Sequence, residues 1–266
     1  MADPRKLGKL PPRVDLRTLK LARYLTPALT PPPAAVYWSK GFPSWGMMLN
    51  GANTGTLAPQ GLGCCTIAGP AHADQVWKIN SAKNVNLAAI TIPDSVILGA
   101  YENWDGYVDG DPSTDNGGVI LDVLNDWRQS GLGGHKITAF AVPDPSNVVH
   151  IKQGIVLFGL VIIGFNVPQS AMDQNAAGQI WDVVSNDGGI VGGHCVAVPD
   201  YNPTGPICIT WGMRQQMTWA FWAKYCDESY ALLSPDWLNS SNFSPEGISL
   251  ADLQSDLQNV TSVARR

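Results

Sequence analysis

The sequence predicts an α+β protein in two lobes, the first helical and the second β-rich. Three observations predict it. Apolar residues between 65 and 130 recur at helical spacing, those between 136 and 233 alternate or run continuously as strands do, and one helical stretch, Ser146 to Phe158, interrupts the second region. At 266 residues and 45% hydrophobic content the chain can bury a proper core, as one large domain or two small ones. No run approaches the roughly 18 apolar residues that suggest a membrane span, and the first 25 residues hold too many charges for a secretory h-region. A soluble, cytoplasmic protein is expected.

Residues 1–33 are basic and proline-rich, ending in Thr30-Pro31-Pro32-Pro33, which must run extended because proline fixes φ and donates no hydrogen bond. Within them, Asp15 to Leu25 predicts a short helix. The first 40 residues carry a net charge of +6 and the remainder −11, within an overall −5. That asymmetry predicts an arm lying on its own acidic body or on an acidic partner, and its role is that of a packed tail, a propeptide or an assembly strap. Nucleic acid is disfavoured, since the arm offers Tyr24 and the late pair Tyr37 and Trp38 for base stacking.

From Ala34 the chain turns apolar and aromatic, and a loop containing Asn50-Gly51 leads into Gln60-Gly61-Leu62-Gly63-Cys64-Cys65. This glycine-rich turn delivers two cysteines to the start of a predicted helix with Ala68, His72, Val76 and Ile79 along one face, and Pro70 as an awkward member. A thiol at a helix N-terminus suits nucleophilic chemistry, because the dipole favours the thiolate. His72 lies about 10 Å along the helix from Cys65, too far for direct contact, and is expected to be structural.

Helices are predicted over Pro93–Tyr101 and Val119–Arg128, separated by an aspartate-rich solvated turn, Asp105 to Pro112, that lacks the ligand order of a calcium loop. Strands are predicted over 136–142, 160–167, 181–184, 207–212 and 229–233, with an aromatic segment at 217–222. Gly192-Gly193-His194-Cys195-Val196-Ala197-Val198 predicts a strand that opens on a histidine after glycines permitting a bulge or close approach. Beyond Ser234-Pro235 a polar linker leads to a capping box at Ser249 and an amphipathic helix with Leu250, Leu253, Leu257 and Val260 on one stripe. The expected organisation is an arm (1–33), a folded domain (34–238) and a C-terminal linker and helix (239–266).

Five cysteines, two of them adjacent, do not suggest a disulfide framework, and a reducing compartment fits. No metal or other cofactor is expected: there is no CxxC pair, and His72, His135, His150 and His194 lack zinc-ligand spacing.

Taken in order, the landmarks across most of residues 34–233 resemble the papain-like cysteine peptidases. Val36-Tyr37-Trp38 is similar to the family's entry strand. Gln60-Gly61 followed by Cys65 resembles its oxyanion glutamine and nucleophile, and Asn116-Gly117-Gly118 its substrate-binding Asn-Gly-Gly segment. Gln153 to Phe165 resembles its helix-Gly-strand unit, Gly193 to Val198 its histidine strand, and Trp211-Gly212 the Trp-Gly that follows the orienting asparagine. The chain departs from the pattern at Leu62, where a cysteine is usual, at Thr66, where an aromatic is usual, and at Gln60, which stands one position nearer the nucleophile. The orienting asparagine is absent and Thr210 is the nearest polar residue.

The resemblance implies a helical lobe bearing the cysteine and an antiparallel sheet or barrel lobe bearing the histidine. It implies a peptidase or amidase in which Cys65 is the nucleophile and His194 its base, present together as thiolate and imidazolium. Gln60 and the Cys65 N–H hold the oxyanion, Thr210 orients the ring, Trp211 shields the pair, and Gly118 contributes to substrate binding. The rival expectation is an inactive scaffold of the same fold used for binding or self-assembly, such as a structural, virion-associated protein of a bacterial or viral particle. The lost asparagine, the basic arm and the C-terminal helix favour that rival.

Overall fold

The computed structural model describes residues 5–26, 29–42, 44–49, 61–81, 90 and 92–240. Gln60 and the C-terminal stripe at 249–260 lie outside the described residues.

Helix α1 (Cys65–Ser81) is the spine of the helical lobe. The Cys64 carbonyl accepts from the Ile67 and Ala68 N–H groups, at 2.9 and 3.0 Å, so Cys64 caps the helix and Cys65 opens it. Pro70 forgoes one bond of the ladder, and the helix nonetheless continues to Ser81. Helices α2 (Asp94–Asp105) and α3 (Ile120–Ser130) pack beside it through Ile97, Tyr101, Val123, Leu124 and Trp127, all buried. Trp77 of α1 stacks on Trp127 of α3 with ring centres 5.8 Å apart. These residues recur at three and four, which is why their positions were legible as helix.

The second lobe is a mostly antiparallel sheet in the order β1-β3-β8-β4-β5-β6-β7, with β2 (Val36–Tyr37) also paired to β5. Its long central pair is β4 (Val161–Pro168) and β5 (Ile190–Tyr201), in a register that sets Phe165 opposite His194 and Gly164 opposite Cys195. β8 (Cys226–Leu233) flanks β4 and places Glu228 opposite Gly164. β6 (Pro206–Thr210) and β7 (Met213–Gln216) close the other side. Helix α4 (Val148–Phe158) covers one face, and α5 (Gln169–Ala176), α6 (Trp219–Tyr225) and α7 (Pro235–Ser240) are the remaining helices among the described residues. Trp237 of α7 is buried and donates to the Leu157 carbonyl at 2.9 Å.

The two lobes meet where α1 crosses β5. A Cβ at Gly69 would stand 3.2 Å from the Cys195 sulfur. Glycine there lets α1, which Cys65 opens, lie directly on β5, which carries His194.

Three local expectations are corrected. Residues 15–25 are not a helix: Leu19–Lys20 form β1, parallel to β3 (Ala139–Val142), and Leu21–Arg23 a 3-10 turn. The cause is burial of Leu21 and Tyr24 beside Ile151 and Phe158, which overrides the weak helical spacing. Trp181 makes one isolated bridge, to Met217, in place of a strand over 181–184, because its buried indole N–H is held by the Ala171 carbonyl at 2.9 Å. The aromatic segment continues as helix α6, since the Thr218 hydroxyl accepts from the Phe221 N–H at 3.0 Å. Asn147, not Ser146, caps α4.

Candidate active site

The turn before Cys65 is held by one carboxylate. Asp115 Oδ1 accepts from the Gly63 N–H at 2.7 Å and from the Tyr101 hydroxyl at 2.8 Å, and that hydroxyl accepts from the Gly117 N–H at 2.8 Å. The nucleophile turn and the Asn116-Gly117-Gly118 segment are thereby fixed to each other. The two cysteines then part. Cys64 donates to the Met48 carbonyl at 3.6 Å, inside the helical lobe. The Cys65 sulfur faces the backbone N–H groups of Cys195, the residue after His194, and of Gly8.

Cys65 is 0% exposed, and burial pushes its thiol up to about 11, against the pull of those N–H groups and of the Lys9 charge. His194 is buried too. Desolvation, with the like charge of His72, brings its pKa down to about 3. Burial thus favours the neutral form of each group, the opposite of the expected thiolate–imidazolium pair.

The imidazole is nevertheless well oriented. Its Nε2 lies 2.7 Å from Thr210 Oγ1, and its ring stacks on Trp211 with centres 4.6 Å apart and planes 14° from parallel. Phe165 meets it edge-on at 5.8 Å. Nδ1 is buried and has no hydrogen-bond partner. When Nε2–H donates to Thr210, Nδ1 carries the free lone pair a general base needs. Trp211 sits at φ +45, a strained left-handed conformation for a large residue, and this turns its indole over the ring. A hydroxyl both donates and accepts, so Thr210 orients the ring without dictating its tautomer. Thr210→Val should therefore lower kcat by about tenfold or more, in the spirit of a lost orienting hydrogen bond, with KM little changed. An unaltered kcat in a steady-state assay would exclude that role.

The arm fills the cleft. Gly118 donates its N–H to the Gly8 carbonyl at 2.8 Å and accepts from the Leu10 N–H at 2.8 Å, a parallel bridge centred on Lys9. From the other lobe the Gly193 carbonyl accepts from Gly8 and Lys9, at 3.2 and 3.0 Å. A Cβ at Gly8 would collide with the Gly63 carbonyl, so glycine is what lets the arm pass over the nucleophile turn. The basic residues settle on the protein's own body. Lys6 pairs with Asp115 at 3.0 Å, Arg13 with Asp122, and Arg5 bonds Asn175 while lying over the Trp211 ring at 5.1 Å. Behind Gly118, Asp105 receives the Thr66 hydroxyl at 3.4 Å, and burial pushes its carboxyl up to about 7.

The structure sets Thr210 and Trp211 around the His194 ring and Gly118 against the arm, while the Cys65 sulfur meets the N–H of the residue after His194 and makes no hydrogen bond to His194 Nδ1. His72 is as expected structural, with Nδ1 2.9 Å from Gln75 Oε1 and its pKa brought down to about 4 by burial. The sequence reading missed Asp115, Lys9 and the acids Asp227 and Glu228. The first adjoins Asn116-Gly117-Gly118 and was within reach of a local reading; the others are brought to the cleft by sheet pairing and arm docking alone. It also missed the grouping of Asp74, His135 and Asp236, whose ligand-type atoms lie within 4.8 Å of one another, the one such group among the described residues. Lys78, 2.6 Å from Asp74, supplies a cation there.

A cysteine opening the long helix of one lobe, against a histidine on the sheet of the other, defines the papain-like architecture, and this chain has the papain-like fold. Its structural relatives bear this out. Xylellain, a cysteine protease from Xylella fastidiosa, superposes with a TM-score of 0.60 at 16% identity, covering 87% of this chain and 97% of its own. Procathepsin B S9 from Trypanosoma congolense gives 0.57 at 12% identity, covering 87% of each chain. Digestive procathepsin L 3 from the larval midgut of Tenebrio molitor gives 0.50 at 10%, over 82% of this chain and 76% of its own. No family model and no curated protein matches the sequence. No described helix is long and apolar enough to cross a membrane.

Proposed function

We propose that the chain is a cysteine hydrolase acting on peptide or amide bonds, with residues 5–10 as its intramolecular inhibitor. One observation carries the reading: a peptide segment, the chain's own, is hydrogen-bonded on both sides along the groove between Gly118 and Gly193, directly over the Cys65 turn. Once the arm leaves, Cys65 Sγ gives its proton to His194 Nδ1 and attacks the carbonyl carbon of a bound amide. The oxyanion is held by the Cys65 N–H and Gln60, and the imidazolium is steadied by Thr210. The tetrahedral centre collapses with proton transfer from His194 to the leaving amine. Water then hydrolyses the thioester, with His194 as base.

In this reading the inhibitory part of the 1–33 arm is its first third. Residues 19–25 belong to the sheet and core, since removing Leu21 and Tyr24 would uncover buried surface on β3 and α4. The domain at 34–238 and the C-terminal helix at 239–266 stand as proposals.

The test is digestion of an unfolded protein substrate by full-length chain carrying Lys9→Glu, which loosens the arm, beside Lys9→Glu with Cys65→Ala. Fragments from the first and none from the second are expected, and no fragments from either would sink the hydrolase. A second reading, a closed scaffold used for binding or assembly, is favoured by the complete burial of Cys65 and by the neutral pair. It predicts the fragment-free outcome.

A further inference from the structure

Among the described arm residues, Lys9 is the one whose charge is taken inside the protein. Its side chain is 1% exposed, with Nζ 2.8 Å from Asp227 Oδ2 and 3.4 Å from Glu228 Oε1. The receptacle is built for that length of side chain. Gly164, opposite Glu228 in the β4–β8 pairing, leaves a slot for the lysine stem, and a Cβ there would collide with Lys9 Cε. Gly193 admits the backbone, since its Cβ would collide with the Lys9 carbonyl. At the end of the slot Glu228 is fixed: its Oε2 accepts from the Tyr230 hydroxyl at 2.8 Å, leaving Oε1 directed at the ammonium. Asn166 steadies Asp227 at 3.3 Å.

These groups make sense as a receptor for a cation, and the arm supplies one only while it is docked. With Lys9 withdrawn, Glu228, 7% exposed, would be a buried carboxylate facing another carboxylate with no positive partner in the slot. Burial already raises its pKa, and Lys9 is the principal influence pulling it down. An occupant with a neutral side chain leaves that penalty in place, and an occupant with a lysine side chain removes it.

We infer that the cleft selects substrates by a lysine side chain inserted into the Gly164–Asp227–Glu228 slot, and that Lys9 is the internal mimic of that side chain. This rests on the hydrolase reading above, and it assigns the substrate class: peptides carrying a lysine at the position that meets the slot.

The test uses full-length chain carrying Lys9→Glu and pairs of N-capped peptidyl chloromethyl ketones, identical except for lysine or its uncharged isostere norleucine at each of the three positions nearest the ketone. Mass spectrometry reads the rate of Cys65 alkylation, normalised to iodoacetamide on the same variant. At one position the lysine reagent should react at least tenfold faster. Adding Asp227→Asn and Glu228→Gln should bring the ratio close to one, with Glu228→Gln alone as a milder companion should the double change fail to fold. A ratio near one at every position, or a preference that survives loss of both acids, overturns the inference. If neither ketone reacts, polarisation of a fluorescent peptide matching residues 5–10, against its norleucine-9 version, decides the slot on binding alone. Equal affinities overturn it, while the hydrolase reading is judged separately by the protein-digestion experiment.

Discussion

Full-length chain carrying Lys9→Glu should be alkylated at Cys65 about 10²–10³ times faster than wild type at neutral pH. The Lys9 ammonium is buried against Asp227 and Glu228, and a carboxylate in its place would bury a third negative charge. Breaking a buried pair costs about 3–5 kcal/mol, and each 1.4 kcal/mol is about tenfold in an equilibrium. Asp227 is 22% exposed and partly screened, which favours the lower half of that range. The docked population falls by that factor and the thiol gains access to solvent. The pH profile should move as well. Thiolate is the reactive form, and in the docked state the thiol titrates at about 11, so wild-type labelling should still be rising well above pH 9. Loss of the covering arm removes burial, the main cause of the raised value, so the variant's curve should shift to lower pH. Labelling by mass spectrometry against time gives both results, and a Lys9→Glu rate equal to wild type would show that something other than the arm buries the sulfur.

In that unlatched background, His194→Ala should lower hydrolysis by about 10²–10⁴, the range for removal of a general acid–base group. The ring is positioned for that task by Thr210 and Trp211, and its Nδ1 is unpartnered. Its pKa, brought down to about 3 by burial, should rise toward the ordinary histidine range once water reaches the cleft. The pH–rate curve of the unlatched enzyme should therefore keep a rising limb that His194→Ala abolishes. An unchanged rate in the alanine variant would remove His194 from the chemistry, whatever its geometry.

The two-lobe fold was legible because its main elements carry strong periodicities: Ile120, Val123, Leu124 and Trp127 at helical spacing, and the continuous apolar run of β4. Cys65 was legible because it opens a helix after a glycine-rich turn, and His194 because it follows a glycine pair, although β5 begins at Ile190 and His194 lies within it, not at its start. Shorter elements were decided by contacts far away in sequence. Tyr24 belongs to β1's surroundings because a core stands there to receive it, and the 217–222 segment turned helical on the strength of one threonine cap. The arm's net charge predicted that it would lie on its own acidic body or on an acidic partner, and Lys6, Lys9 and Arg13 pair with acids of the body. Where it lies could not be predicted, since Lys9 meets Asp227 across 218 residues. Asp227 and Glu228 stand just before the strand expected over 229–233, and only the sheet pairing sets Gly164 opposite Glu228.

The seam at Gly69 has a further consequence. α1 rests on Cys195 there so closely that a Cβ on Gly69 would stand 3.2 Å from the sulfur and press helix against strand. In the proposed reading the arm is the part of the groove that leaves. Access to the sulfur is then a matter of peeling a six-residue ribbon from end to end, beginning at its exposed charges and finishing at the one buried ammonium. Such a closure would answer to whatever competes for that last ion pair.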